Sequence, residues 1–205
     1  MNRDAFLSLL TAHQTQLEAI RQRAHILHAE VNQTYDKVHP YGYHLDMVAQ
    51  GVKDYGHAVL ANDEDLLPLF MGAWFHDSIE DARLTYNDVL REAKNLELTE
   101  AQAYTAAEIV FALTNDKGRT REDRAGENYY KGIRETPYAP FVKLCDRMAN
   151  ATYSFTHGNP ANSHMKEVYR REMPHFLEAI HSSNDDQRFM LPDEMLRKME
   201  NLLNS

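Results

Sequence analysis

Cysteine is almost absent: among 205 residues only Cys145 carries a thiol. A single sulfhydryl excludes an intrachain disulfide framework and fits a reducing compartment. Positive charge is scarce as well, with 22 Lys and Arg against 31 Asp and Glu and a formal net charge of −9. A protein whose main task is clamping nucleic acid needs a broad basic field, so that class is set aside. An anionic small molecule stays open, provided a metal ion and a few local cations create a positive pocket. No run approaches the roughly 20 apolar residues of a membrane span. The apolar stretch in "MNRDAFLSLLTAHQ" is too short and too soon interrupted for a signal peptide. Internal repeats, low-complexity tracts and linkers are missing, and no alternating run predicts a strand. The expectation is a soluble, cytoplasmic protein that partners neither membrane nor nucleic acid, with its oligomeric state open.

Helical periodicity dominates what is present. From Phe6 to Asn32 a stripe falls at Phe6, Leu9, Leu10, His13, Leu17, Ile20, Ala24 and Leu27, a period near 3.6. "HPYG" (His39 to Gly42) reads as a turn and Tyr43 to Leu60 as helix. "ANDED" supplies an N-cap for a helix running through "LLPLFMGAWF" and on into "HDSIEDA". Thr85 with Asp88, and Thr99 with Gln102, carry the spacing of capped helix starts. "TNDKGRTRED" reads as a loop, and "ETPYAP" opens a helix through "FVKLCDRMANATY". A last pair spans about Asn162 to His181 and Pro192 to Leu203. With 43% hydrophobic and 26% charged residues the chain can bury a real core. The fold class expected is all-α, one helical domain over residues 1–205.

The chemistry is concentrated in "GAWFHDSIEDA", where His76, Asp77, Glu80 and Asp81 fall within six positions directly after an apolar run. An imidazole nitrogen beside a carboxylate suits a first-row divalent ion such as Mn²⁺, Fe²⁺ or Zn²⁺. Two ligands hold an ion poorly, and the chain offers two more. His44 lies just past "HPYG", and Asp146 sits among Phe141, Val142, Leu144 and Cys145, where an unpaired carboxylate would be costly. His44, His76, Asp77 and Asp146 are therefore the candidate cage. Asp146 has an ordinary alternative, a pair with Lys143 or Arg147, though both neighbours lie off its face. Glu80 and Asp81, each four residues beyond His76 and Asp77, are expected on the same helix face, as a general base or as groups orienting water. Asp146, Asn150 and Tyr153 share a face at i, i+4 and i+7. Eight other histidines, His13, His25, His28, His57, His157, His164, His175 and His181, read as surface or satisfied core residues.

"YGYHLDMV", "HDSIEDA" and "FVKLCDRMANATYS" taken together resemble the HD-type phosphohydrolases. More narrowly they are similar to the alarmone-hydrolase branch, which contains the hydrolase domain of RelA/SpoT proteins and its small metazoan homologue. The likeness covers about Asn32 to Ser154, leaving a C-terminal helical extension of about 162–205. It implies an HD-domain helical bundle, a mononuclear site, usually Mn²⁺, held by His44, His76, Asp77 and Asp146, and a catalytic acidic pair in Glu80 and Asp81. It further implies that Asn150 contacts the nucleotide and that the reaction is hydrolysis of the 3′-pyrophosphate of guanosine tetra- or pentaphosphate. With no room for a synthetase domain, the expectation is a stand-alone hydrolase.

Anionic substrate and products need cations. Lys117 is the expected phosphate contact, with Lys143 and Arg147 flanking Asp146, while Arg121 and Arg124 read as solvated loop charges. Lys37 and Tyr153 complete the substrate-binding set. "YDKVHPYGYHLD" lacks the family's basic pair, and Leu45 stands where the family has proline after its histidine. The base is therefore left open. The alternatives are an HD-type phosphatase on another nucleotide, such as the 2′-phosphate of NADPH or a nucleoside monophosphate, and a nucleotide-binding sensor without turnover.

Overall fold

Leu66–Phe75 is the helix around which the others pack, and all ten of its residues are buried. A helix apolar on every side has no face to give to water, so it belongs in the middle of a bundle. The computed structural model describes residues 1–115, 119–120, 124–157 and 160–205, with side chains from 163 onward in the last segment. Among the described residues the order is α1 (Arg3–Ala12), α2 (Gln14–Glu30), α3 (Gly42–Tyr55), α4 (Leu66–Phe75), α5 (Tyr86–Asn95), α6 (Glu100–Leu113), α7 (Glu127–Glu135), α8 (Ala139–Thr156), α9 (Pro160–Ile180) and α10 (Asp193–Leu203). The fold is an all-α helical bundle, as expected.

Around α4 lie α2, α3, α6 and α8, while α5 backs onto α6. The C-terminal pair packs outside, α9 against α7 and α8, and α10 against α8 and α9. α4 and α6 pack closely. A Cβ on Gly72 would lie 2.5 Å from Ile109 Cγ2, so glycine is what lets these two helices meet.

Both capping boxes form: the Thr85 side chain accepts from Asp88 N–H and the Thr99 side chain from Gln102 N–H, each reciprocated. "ETPYAP" does open α8, through Tyr138 in the left-handed region (φ 68°) and Pro140 in the first turn.

Several boundaries differ from expectation. The first helical stretch is split at His13, which leaves helical geometry at φ −103°, ψ 13° and joins its ring to Gln16 at 2.9 Å. The segment "HPYG" is no turn: His39–Pro40 pairs antiparallel with Thr34–Tyr35, a two-residue strand pair where none was expected, and Gly42 starts α3. Asp36 builds that hairpin by accepting from the N–H groups of Val38 (3.1 Å) and His39 (3.0 Å). The helix beginning at Leu66 also stops earlier than its pattern suggests, at Phe75. None of the described helices is long and apolar enough to cross a membrane.

Candidate metal centre

Three helices bring the candidate ligands together. The first turn of α3 carries His44, whose N–H donates to the Tyr41 carbonyl at 2.9 Å. Midway along α8 stands Asp146. His76 and Asp77 follow the last residue of α4. There the His76 imidazole turns back on its own helix, Nδ1 lying 2.8 Å from the Ala73 carbonyl, so Nε2 faces outward. That contact withdraws a carbonyl the helix would otherwise use, and the chain passes into turns: Ser78 N–H donates to Phe75 O at 2.8 Å, and Asp81 N–H to Asp77 O at 2.8 Å. Glu80 and Asp81 are therefore presented by a turn, not by the helix face that spacing suggested.

The four donors converge. His44 Nε2 and His76 Nε2 are 3.3 Å apart. Asp77 Oδ2 lies 2.9 Å from His76 Nε2 and 3.7 Å from His44 Nε2. Asp146 Oδ1 lies 3.4 Å from His44 Nε2 and 4.0 Å from His76 Nε2. His44, His76 and Asp77 form a largely buried group able to hold a metal ion, with separations like those of ligands each about 2.0–2.2 Å from one shared ion. Asp146 approaches the two imidazoles from α8 and stands beside that tight group of three. Two nitrogens and two oxygens make a donor set suited to a first-row divalent cation.

Both imidazoles are only 2% exposed, and their electrostatics follow from the carboxylates. Burial alone would lower the His76 pKa, but Asp77 and then Asp146 outweigh it and push it up to about 9. Burial would likewise raise Asp77, yet the adjacent His76 holds it below the carboxylate range. Asp146 is held well below its ordinary value against burial, with Lys143 its largest stabiliser. A pocket that draws this much positive charge is complementary to a cation.

The outer contacts of the ligands were largely illegible in sequence. Asp146 Oδ2 pairs with Lys143 Nζ at 2.9 Å, so Lys143 does reach Asp146 although spacing placed it off the face. Asn150, expected at the nucleotide, donates from Nδ2 to Asp146 Oδ1 at 2.6 Å and accepts from Tyr35 Oη at 3.0 Å. Tyr35 in turn stacks on the His44 ring, centroids 5.2 Å apart. Tyr41 donates to Asp77 Oδ2 at 2.5 Å. Its ring stacks at 4.7 Å on His28, whose two ring nitrogens are buried without a hydrogen-bond partner among the described residues. His28 is thus no satisfied core histidine; burial lowers its pKa to about 4. The available signal was the density of tyrosine and histidine in "TYDKVHPYGYH", with Tyr41 three residues before His44.

The acidic pair divides. Glu80 is exposed, and its carboxylate accepts from Asn115 Nδ2 at 3.0 Å and Asn115 N–H at 3.3 Å. Asp81 is partly buried, and its pKa is raised, first by burial and then by Asp77. Tyr153 is buried with its hydroxyl on Asp36 and its ring edge-on to Tyr35. Lys37 is exposed in the hairpin at φ 68°, and Lys117 lies outside the described residues.

The sequence matches no family model, and no curated protein shows significant similarity to it. The fold, however, is similar to the solved structure of a metazoan ortholog of SpoT that hydrolyzes ppGpp and plays a role in starvation responses. The TM-score is 0.58 at 17% identity, over 89% of this chain and 94% of that one. The chain thus shares its overall helical fold with that structure.

Proposed function

We propose that this chain is a metal-dependent phosphohydrolase of a phosphorylated nucleotide, with the 3′-pyrophosphate of guanosine tetra- or pentaphosphate as lead substrate and Mn²⁺ as the metal. What supports the reading is the close group of His44, His76 and Asp77, with Asp146 3.4 Å from His44 Nε2, beside an acidic pair, in a fold similar to that of a ppGpp hydrolase.

A divalent ion in such a site acts as a Lewis acid toward a phosphoryl oxygen and lowers the pKa of water. The rest falls to side chains. Glu80, its oxygens aimed by Asn115, orients the attacking water and accepts its proton. Asp81, whose carboxyl holds its proton more tightly than an ordinary aspartate, gives a proton to the leaving oxygen. The water oxygen bonds to phosphorus as the bond from phosphorus to the ribose 3′ oxygen breaks. A 3′-hydroxyl and pyrophosphate result, and the protons balance between the two carboxyls. Lys143 and Asn150 keep Asp146 in place throughout.

The test is a screen of Mn²⁺-loaded protein against guanosine tetraphosphate, NADPH and nucleoside monophosphates, with pyrophosphate and orthophosphate measured separately. Pyrophosphate from the tetraphosphate, about one metal per chain, and loss of both in Asp77→Ala and Asp146→Ala are expected. Wild-type protein that binds no metal, or that binds metal and releases neither product, overturns the proposal.

A further inference from the structure

A cavity lies close to the candidate metal centre and shares Lys143 and Asn115 with its surroundings. It sits between α7, α8 and α9 and has a volume of about 620 Å³, the size of a small-molecule site. Its wall is cationic in a chain whose net charge is −9. Arg124, Lys143, Arg147 and Arg171 line it, and Glu172 is the carboxylate among the described lining residues.

Three of the four cations come from two neighbouring helices, α8 and α9. Lys143 and Arg147 are one turn apart on α8, and Arg171 and His175 are one turn apart on α9, spacings that put each pair on a common face. Arg147 is fixed in orientation: its guanidinium lies 4.3 Å over the Phe176 ring and 3.1 Å from Glu172. Arg171 and His175 are exposed, and Arg171 makes no ion pair among the described residues.

Two contacts tie the cavity to the chemistry. Lys143, in its wall, is 2.9 Å from Asp146. Asn115, also in its wall, holds Glu80 at 3.0 Å. A ligand in the cavity therefore meets side chains that themselves contact the candidate metal ligand Asp146 and the candidate base Glu80. Arg124, which reads from sequence as a solvated loop charge, belongs to this wall.

We infer that the cavity between α8 and α9 is a diphosphate-binding site that holds the phosphoryl group beyond the one under attack. The inference rests on the phosphohydrolase reading for its place in turnover but not for binding itself. Four cations against one lining carboxylate exceed what one phosphate requires and suit a diphosphate, and guanidinium groups recognise phosphoryl oxygens in pairs. The extension after residue 160 thereby gains a role, since α9 supplies the outer half of the site.

Binding of inorganic pyrophosphate and of orthophosphate to the full-length, metal-loaded protein tests this by calorimetry, with retained metal measured afterwards. Pyrophosphate should bind one per chain and at least about tenfold more tightly than orthophosphate. Arg171→Glu, at an exposed position, should weaken pyrophosphate by about tenfold or more while metal content stays unchanged. His175→Ala should weaken it less. Equal binding of pyrophosphate by wild type and Arg171→Glu overturns the assignment, even if the wild type turns nucleotides over. Loss of binding in Arg171→Glu without any nucleotide turnover by the wild type keeps the diphosphate site and removes the enzymatic reading.

Discussion

Tyr41 donates its hydroxyl proton to Asp77 Oδ2 at 2.5 Å, from the residue just before α3 to the residue just after His76. One oxygen of Asp77 thus serves both the tyrosine and the two buried imidazoles, His76 and His44. The hydrogen bond fixes which lone pair remains for a cation. Outer-shell contacts of this kind are worth about 10–100-fold in metal affinity or activity when removed. Tyr41→Phe keeps the ring on His28 and deletes only the donor, so it should weaken Mn²⁺ binding within that range. A titration giving the wild-type dissociation constant would reduce Tyr41 to a packing residue.

Glu80 is exposed and contacts Asn115, so its replacement should leave the bundle and the cage intact. Glu80→Gln should retain wild-type metal content yet lower turnover about 10²–10⁴-fold, the usual loss when a positioned acid–base group is removed. Undiminished turnover would make Glu80 a loop anchor and nothing more.

His28 gives the protein an acid-sensitive point. Burial lowers its pKa from an ordinary 6.5 to about 4. The unfolded chain takes up a proton near pH 6.5, whereas the folded chain resists until near pH 4. Stability is therefore full above about 6.5 and erodes as the pH falls toward 4. The gap corresponds to about 3 kcal/mol in total. His28→Phe preserves the stack on Tyr41 and removes the titration. Urea unfolding at pH 7 and pH 4.5 should show the wild type losing about 2 kcal/mol more than the variant across that interval. Parallel losses would mean His28 contributes nothing to acid sensitivity.

Gly72 and Ile109 set the spacing of α4 and α6. A methyl group on Gly72 would meet Ile109 Cγ2 at 2.5 Å, and a β-branched residue in a helix cannot swing away. Gly72→Ala should cost about 1–3 kcal/mol from overpacking. Ile109→Ala should be less harmful in the Gly72→Ala background than alone, because the added methyl occupies the space vacated. A double-mutant cycle from thermal unfolding measures the coupling, and strict additivity would show that the helices separate freely.

Much of the scaffold was legible because its signals are local. The capping boxes at Thr85 and Thr99 each involve a side chain and a backbone group three residues apart. The uninterrupted apolar run Leu66–Phe75 announces a buried helix without knowledge of its neighbours. Misreadings occurred where one side chain overrode a pattern. His13 breaks the first stripe, and the His76 ring takes the Ala73 carbonyl where spacing carried the helix onward. The hairpin at Asp36 leaves no mark in the sequence pattern because two-residue strands have no periodicity.

From the amino-acid order alone came the helical class, the donor types at His44, His76, Asp77 and Asp146, and the acidic pair that follows them. Tertiary structure decided what those donors touch. It places Tyr41 on Asp77, Asn150 and Lys143 on Asp146, and Tyr35 against His44. It also brings Arg171 and His175 across from Arg147 to wall a cavity no sequence window contains. Residue type and spacing follow from covalent neighbours within a turn or two. Distances between helices depend on how deeply their faces interlock, as Gly72 against Ile109 shows.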